Sequence, residues 1–197
     1  DFYCNYKTRA PKSQQTAFLV QLAYENCLDG DKIRAGDAVN FSIGQGDTVI
    51  TPLKLAQMYA AIGNGGTIWK PTVAKAIVKT DGTVVKKFSP EKLGTIPADK
   101  ETIKFLHSAL REVVISGTGA GAFSGFPVAI SGKTGTAEVF GRNSNGSKKA
   151  NTSWFASYGP TEKPRFAVVM MVSQGGFGAS TSGVGVRKIY ETLFGVQ

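Results

Sequence analysis

The residue types best suited to chemistry stand in four consecutive positions: Lys133, Thr134, Gly135 and Thr136. Lys133 offers a compact positive charge, and the two threonine hydroxyls offer hydrogen-bond donors that suit a carboxylate. Gly135 has no side chain, so it leaves room for another backbone to lie close alongside. The four residues therefore predict a site that binds a carboxylate next to an extended backbone.

The flanking residues predict that this stretch is a β-strand. Residues 126–130 before it and residues 139–140 after it continue an extended, apolar pattern. If the strand lies at the edge of a sheet, the backbone N–H of Thr136 can point at a developing oxyanion. A lysine on an edge strand also has a purely structural use, because its charge opposes pairing with another chain.

A phosphate-binding loop is a rival interpretation of Gly132-Lys133-Thr134. That loop requires another glycine five residues before Gly132 and a helix immediately afterwards. Position 127 is Pro127, and a strand-like run follows. The phosphate-loop interpretation is therefore excluded.

Further motifs follow one another in a fixed order along the chain. Gly44-Gln45-Gly46 precedes Thr51-Pro52-Leu53-Lys54-Leu55-Ala56, and the Lys-Thr-Gly element comes later. This order resembles class B penicillin-binding transpeptidases, whose Lys-Thr-Gly element is shared with serine β-lactamases. The sequence from Gly36-Asp37 to Gly46 is most similar to the elongation type within class B. The resemblance runs from about Gly36 to the C-terminus. The other matching segments are Asn64-Gly65-Gly66, Lys70-Pro71, Gly117-Thr118-Gly119 and Trp154-Phe155.

The resemblance implies an α+β fold with helices flanking an antiparallel sheet. It also implies a peptidoglycan D,D-transpeptidase that crosslinks stem peptides ending in D-Ala-D-Ala through a serine acyl-enzyme, which β-lactams trap. Lys133 and Thr136 would be catalytic, and both would bind substrate together with Thr134 and Gly135. No cofactor or metal is implied. The enzyme would be bacterial, membrane-anchored and extracytoplasmic, would serve cell wall synthesis and cell shape, and would work with a membrane glycan polymerase.

The nucleophile that the family requires is missing from the sequence. In the family, Ser-x-x-Lys and then Ser-x-Asn precede the Gly-Gln-Gly motif. Here Ser89-Pro90-Glu91-Lys92 is the only Ser-x-x-Lys, it lies downstream, and no Ser-x-Asn occurs. Ser89-Pro90 favours a turn over the start of a catalytic helix. We therefore expect residues 1–197 to be the C-terminal portion of one transpeptidase domain, with both motifs on an upstream segment or a second polypeptide.

Two other functions stay open on the sequence alone. D,D-carboxypeptidases and β-lactamases share the Lys-Thr-Gly strand but transfer the acyl group to water. A non-catalytic module that senses wall fragments or β-lactams would need no serine nucleophile.

The composition is that of a basic domain with enough apolar residues for a core. The chain has 197 residues, of which 42% are hydrophobic, and a formal net charge of +9. No apolar run approaches the roughly 18–20 residues of a membrane span, and the first residues lack the pattern of a signal sequence. The charge either is a general surface property or attracts anionic wall polymers or lipid headgroups. Scattered basic residues without interleaved aromatics argue against nucleic acid.

Three features outside the central motif have two interpretations each. His107, the sole histidine, has no acidic partner at a telling spacing, so we expect a structural residue rather than a general base. Cys4 and Cys27 either form a disulfide in an exported protein or stay separate thiols, and two cysteines do not complete a usual zinc site. Gly44-Gln45-Gly46 favours a tight turn over a set of amides for a ligand.

Local patterns predict the elements that would position the site. Thr51 and Asp99 are N-caps that each predict an amphipathic helix. Asp81-Gly82 predicts a projecting β-hairpin over residues 72–88. Short connections predict that the last three strands form an antiparallel sheet. The other expected elements are a helix or strand in residues 15–24, a loop over 29–36, a Gly-rich loop over 117–125, strands over 128–140, 152–158 and 165–172, and a helix over 180–194.

Overall fold

The computed structural model describes Asn5, Pro11, Lys12 and residues 17–30, 32–46, 48–139 and 141–196. The chain divides into two compact units, Asp1–Thr48 and Val49–Gln197. The second unit contains the predicted site.

Two helices of the first unit are described over their whole length. Helix α1 spans Phe18–Asp29, so the helical interpretation of residues 15–24 is confirmed where they are described, and the strand alternative is wrong. Helix α2 spans Ala35–Ser42 and was not predicted. Its N-terminus lacks a usual Ser or Thr cap; instead the Asp37 carboxylate accepts a hydrogen bond from the Arg34 backbone N–H at 3.0 Å. The hydrogen bond from the Arg34 side chain also lowers the pKa of Asp37.

The Gly-Gln-Gly motif forms the turn that ends α2. Gly44 and Gly46 have φ angles of 75° and 96°, which glycine adopts without strain. The N–H of Gly44 donates to Phe41 and the N–H of Gln45 donates to Asn40, each at 2.9 Å. These two amides close the helix, which supports the structural interpretation of the motif.

The second unit opens with helix α3, which spans Pro52–Gly63. The Thr51 hydroxyl accepts a hydrogen bond from the Lys54 N–H at 3.2 Å, so the predicted cap and helix are confirmed. Two small antiparallel ribbons follow. Strands β2 (Ala76–Val78) and β3 (Val84–Lys87) form the predicted hairpin, which is shorter than residues 72–88. Strands β1 (Thr67–Trp69) and β4 (Lys92–Thr95) form a ribbon that was not predicted.

Helix α4 spans Lys100–Ile115 and is capped as predicted. The Asp99 carboxylate accepts a hydrogen bond from the Thr102 N–H at 2.7 Å, and this bond lowers the pKa of Asp99. After α4, the Gly-rich segment contains the short helix α5 (Ala120–Phe123), where only a loop was expected.

The central sheet has three antiparallel strands in the order β5-β6-β7. They span Ser131–Ala137, Thr152–Gly159 and Phe166–Val172. The prediction of three neighbouring antiparallel strands is confirmed. The first strand is shorter than residues 128–140, because its pairing with β6 runs only from Ser131 to Ala137; Phe140 lies outside the described residues.

Helices cover both faces of this sheet. Helix α6 (Val184–Phe194), preceded by a π-helical turn over Ala179–Gly183, packs on one face, where Phe155 is fully buried. Helices α3 and α4 cover the other face, where Tyr158 is fully buried. The unit is therefore a helix–sheet–helix sandwich, and the α+β prediction is confirmed.

No helix among the described ranges combines the length and the apolar character that crossing a membrane requires.

Tyr59 on α3 gives a test of this packing through pH. Burial raises the pKa of Tyr59 to about 12, whereas an unfolded tyrosine titrates near pH 10. The folded state therefore holds a proton that the unfolded state loses, and stability falls as the pH rises from about 10 to 12. Between these pH values, we expect the free energy of unfolding of Tyr59→Phe to fall by about 1.4 kcal/mol less per pH unit than that of wild type.

Chemical denaturation at a series of alkaline pH values measures this effect in the intact protein that contains the chain. Tyr24→Phe is the matched control, since the Tyr24 side chain is 37% exposed. Identical alkaline profiles for wild type and Tyr59→Phe would show that this tyrosine is not buried as described.

Candidate functional site

The four predicted residues lie together on β5, at an edge of the central sheet. Strand β5 pairs with β6 on one side, and no other strand pairs with it within the described residues. Lys133 pairs with Ala156, Thr134 with Phe155, Gly135 with Trp154 and Thr136 with Ser153. The condition set by the sequence, a Lys-Thr-Gly strand at a sheet edge, is therefore met.

The pairing register determines which backbone groups face the open edge. In antiparallel pairs, residues that exchange hydrogen bonds with the neighbouring strand alternate with residues that point away. A Cβ atom built on Gly178 would lie 2.9 Å from the nitrogen of Gly135 and 2.6 Å from the oxygens of Gly135 and Trp154. The backbone oxygens of Gly135 and Trp154 can both lie this close to one point only if they face each other between the two strands. Gly135 therefore exchanges hydrogen bonds with β6. The alternation then directs the N–H and C=O groups of Thr134 and Thr136 to the open edge.

The Lys133 side chain is exposed and wraps around this edge. Its Nζ donates to the carbonyl oxygen of Thr134 at 2.9 Å and lies 3.4 Å from the Thr134 hydroxyl. Successive side chains of a strand point to opposite faces, so only the length of the lysine brings the two groups together. Lys133 and Thr134 therefore form one cationic, hydroxyl-bearing surface.

Thr118 adds a hydroxyl to this surface and was not singled out from the sequence. Its Oγ1 lies 2.7 Å from Oγ1 of Thr134. Thr118 follows α4 and lies between two glycines; the N–H of Gly119 is held by the carbonyl of Val113 at 2.9 Å. The Gly117-Thr118-Gly119 triplet is among the matching segments. Its contact with β5 joins residues 16 positions apart, so only the folded structure shows it.

Thr136 is placed differently from the other three residues. Its hydroxyl accepts a hydrogen bond from the Gly178 N–H at 3.4 Å, and its side chain is half-buried. The segment that carries Gly178 thus lies directly on the sheet beside the site. The structure brings Lys133, Thr134 and Thr118 together, while the hydroxyl of Thr136 faces this second segment.

His107 is a structural residue of the helix–sheet packing. Its Nε2 lies 2.9 Å from the carbonyl oxygen of Ile62, which can only accept, so Nε2 carries the proton. Its Nδ1 lies 3.0 Å from the hydroxyl of Tyr158 and accepts from it. Both ring nitrogens are used to join α3, α4 and β6, which agrees with the structural role expected for this residue.

The serines near the sheet hold the fold together and are not exposed nucleophiles. Ser131 and Ser157 are fully buried, and their hydroxyls lie 2.9 Å from Thr161 Oγ1 and 3.1 Å from the Tyr190 hydroxyl, respectively. Ser89 is exposed in the irregular segment between β3 and β4, so the only Ser-x-x-Lys sequence does not begin a helix. This agrees with the turn expected at Ser89-Pro90.

The cysteine question is answered for one of the two residues. Cys27 is disulfide-bonded, and Cys4 lies outside the described residues. Within the described part of the chain, no group of three or more His, Cys, Asp or Glu side chains is arranged to hold a metal ion.

This edge strand defines the class of protein. The chain belongs to the penicillin-binding protein transpeptidase domain family, whose model matches residues 20–191. The resemblance drawn from the Lys-Thr-Gly and Gly-Gln-Gly motifs is thereby confirmed.

Three similar proteins illustrate the match. Penicillin-binding protein 2A of Bacillus subtilis is 33% identical over 70% of this chain and 20% of its own length. A peptidoglycan D,D-transpeptidase FtsI homolog of Mesostigma viride is 30% identical over 88% of this chain and 31% of its own. A solved peptidoglycan synthase complex, described as coordinating polymerization and crosslinking, matches 85% of this chain and 27% of its own with a TM-score of 0.71 and 29% identity. The chain thus spans about a fifth to a third of the length of the curated relatives.

Gly178 provides a test of how the site is built. A methyl group at this position would approach two backbone carbonyl oxygens to 2.6 Å, and backbone atoms of a paired sheet cannot move aside cheaply. We expect Gly178→Ala to destabilise the intact protein by about 1–3 kcal/mol. Gly121→Ala is the matched control, because open space surrounds Gly121.

Thermal unfolding of the two variants measures the difference. The control should unfold within a few degrees of wild type, since a surface substitution away from packed features changes stability by about 0.5 kcal/mol at most. Equal melting temperatures for Gly178→Ala and wild type would contradict the close contact with β5.

Proposed function

We propose that this chain supplies the Lys-Thr-Gly strand of a serine D,D-transpeptidase that crosslinks peptidoglycan. One observation carries the proposal: Lys133, Thr134, Gly135 and Thr136 occupy a strand whose edge is open in the described structure, with the Thr136 N–H directed to that edge. The names of two relatives, a penicillin-binding protein and a peptidoglycan D,D-transpeptidase, support it.

The open edge suits a peptide substrate. An extended stem peptide can add to β5 as a further strand, so that its backbone gives affinity and its end gives specificity. The Lys133 ammonium and the hydroxyls of Thr134 and Thr136 would bind the terminal carboxylate of the D-Ala-D-Ala end. Thr118 would position the Thr134 hydroxyl through the 2.7 Å contact between them. β-Lactams, which mimic this end, would bind to the same residues.

The reaction proceeds through two acyl transfers. A serine hydroxyl attacks the carbonyl of the penultimate D-Ala, the peptide C–N bond breaks, and the terminal D-Ala leaves with the proton from the serine. The amine of a second stem peptide then attacks the ester, so that a new amide forms and the serine recovers its proton. In both steps the Thr136 N–H would donate to the tetrahedral oxyanion. One such donor lowers the barrier by roughly 3–4 kcal/mol.

The serine would come from a Ser-x-x-Lys helix that this sequence does not contain, as would the Ser-x-Asn motif. Exposed apolar side chains on the two helices that cover one face of the sheet support a missing packing partner. Leu53 on α3 is 64% exposed and Phe105 on α4 is 71% exposed. Leaving each such side chain in water forgoes about 1.5–3 kcal/mol. An upstream segment or a second polypeptide would cover them, so residues 1–197 are the C-terminal portion of one transpeptidase domain.

The cellular setting follows from this activity. The enzyme would be a membrane-anchored bacterial protein with its catalytic domain on the cell-wall side. The synthase complex to which the chain is similar is described as joining polymerization with crosslinking, which supports a glycan polymerase as partner. The sequence between Gly36-Asp37 and Gly46 is the basis for assigning the elongation type and a role in cell shape.

Acylation by a fluorescent penicillin tests the role of Lys133. In the intact enzyme, we expect Lys133→Ala to slow acylation by roughly a hundredfold or more, because a cation that stabilises developing charge is lost. The melting temperature should change little, since the side chain is exposed. Lys79→Ala, on the exposed hairpin, is the control. Equal acylation rates for Lys133→Ala and wild type would refute the assignment.

Variants of Thr136 distinguish the role of its hydroxyl from that of its backbone N–H in the same assay. Thr136→Val keeps the backbone N–H, so we expect weaker penicillin affinity with a smaller loss of acylation rate than Lys133→Ala. Thr136→Ser, which keeps the hydroxyl, should restore the affinity. A larger rate loss for Thr136→Val than for Lys133→Ala would contradict the proposed division between carboxylate recognition and the oxyanion N–H.

The origin of the nucleophile has a direct test. Residues 1–197 alone should form no covalent adduct with penicillin, and an assembly that includes the Ser-x-x-Lys segment should form one on that segment. Intact-mass measurement and peptide mapping locate the adduct. An adduct on Ser89, or on any other serine of this chain, would show that the chain contains its own nucleophile.

A further inference from the structure

We infer that a basic groove along helix α4 binds a linear polyanion of phosphate groups. The groove has a volume of about 680 Å³ and lies between helix α4 and the turn that joins β6 to β7. This inference does not depend on the transpeptidase activity. The charged and polar side chains that line the groove and carry the argument are Lys100, Lys104, His107, Arg111, Thr161 and Glu162.

The cations of the groove lie along one side of α4. Lys100, Lys104 and Arg111 are separated by four and seven residues, which places them on one helical face. The rise of an α-helix separates their backbone positions by about 6 Å and then about 10 Å. The row therefore extends over about 16 Å, which is too long for one small anion and suits a polymer that carries several charges.

The three cations of this row form no ion pair among the described residues. None of the three cations has a carboxylate oxygen within 4.0 Å among the described ion pairs. Glu162 is the only carboxylate lining the groove, so the formal charge there is three minus one, or +2. A polyanion would supply the missing negative charge.

The types of cation in the groove are compatible with phosphate groups. Lysine ammonium groups bind phosphate oxygens as point charges, without the fixed geometry that the planar fork of arginine imposes. Arg111 already donates from Nη1 to the carbonyl of Ile130 at 3.1 Å. The fork is therefore only partly available, and the two lysines dominate the recognition.

The shape of the groove favours a flexible polymer over a membrane surface. Ile103 lies buried in the lining, and no exposed large apolar side chain is present there to enter a lipid layer. His107 and Thr161 are both held by the protein, His107 by Ile62 and Tyr158 and Thr161 by Ser131. The wall is thus fixed, and a polymer strand must adapt to it.

Binding of linear polyphosphate to the intact protein tests the inference. The groove variant combines Lys100→Glu with Lys104→Glu; both side chains are exposed, and a glutamate at the N-terminus of α4 suits the helix dipole, so it should fold. The control combines Lys75→Glu with Lys87→Glu on the exposed hairpin, which changes the net charge by the same amount.

At about 0.15 M salt, we expect the groove variant to bind polyphosphate roughly tenfold more weakly or worse, with a salt slope reduced by about 2. The control should lose less than about twofold. Equal losses in both variants would show that net charge alone is responsible. Binding of phosphatidylglycerol vesicles but not polyphosphate by wild type would assign the surface to a membrane instead. Either result, or no polyphosphate binding by wild type, would overturn the inference.

Discussion

The pairing register of β5 on β6 is the constraint on which the site depends. A slip of one residue would move every side chain to the opposite face and exchange the backbone groups that face the edge. Lys133 would then lie on the wrong side, and the N–H of Thr136 would be used within the sheet. Gly178 helps to fix the register, because it lies so close to the backbone of Gly135 and Trp154 that no side chain fits at its position.

The two faces of β6 anchor the same register from opposite directions. Phe155 is fully buried against the layer of α6, and Tyr158 is fully buried against the layer of α3 and α4. Tyr158 also holds His107, which in turn bonds to the last turn of α3. A strand whose neighbours are fixed on both faces has no freedom to shift, so the flexible lysine of β5 is presented on a rigid support.

Local signals in the sequence were sufficient to predict those elements that begin with a usual N-cap residue or that are joined by a usual turn. Thr51 and Asp99 cap their helices through the expected side-chain bonds, and Asp81-Gly82 gives the expected hairpin. Helix α2 was missed because its cap is the Asp37–Arg34 pair, which the usual N-cap preferences do not contain. The β1–β4 ribbon was missed because its strands are three and four residues long and pair across a 22-residue intervening segment that includes the hairpin.

The candidate site shows the same division between local and long-range information. Residue types identified Lys133 to Thr136 and the need for a sheet edge. They did not show that Thr118 meets Thr134, or that Gly178 contacts Thr136, because these contacts join positions 16 and 42 residues apart. The role of His107 was correctly expected as structural, but its partners Ile62 and Tyr158 follow only from the packing of three elements.

A strand whose edge is proposed to receive a substrate is also open to the same strand of another molecule. Unprotected edges are the usual route to unwanted sheet extension and aggregation. Lys133 places an exposed charge at the middle of this edge, so two copies that approached edge to edge would bring two like charges together. The residue proposed to attract the substrate carboxylate therefore also keeps the protein from pairing with itself, and the requirements of solubility and of ligand recognition favour the same side chain.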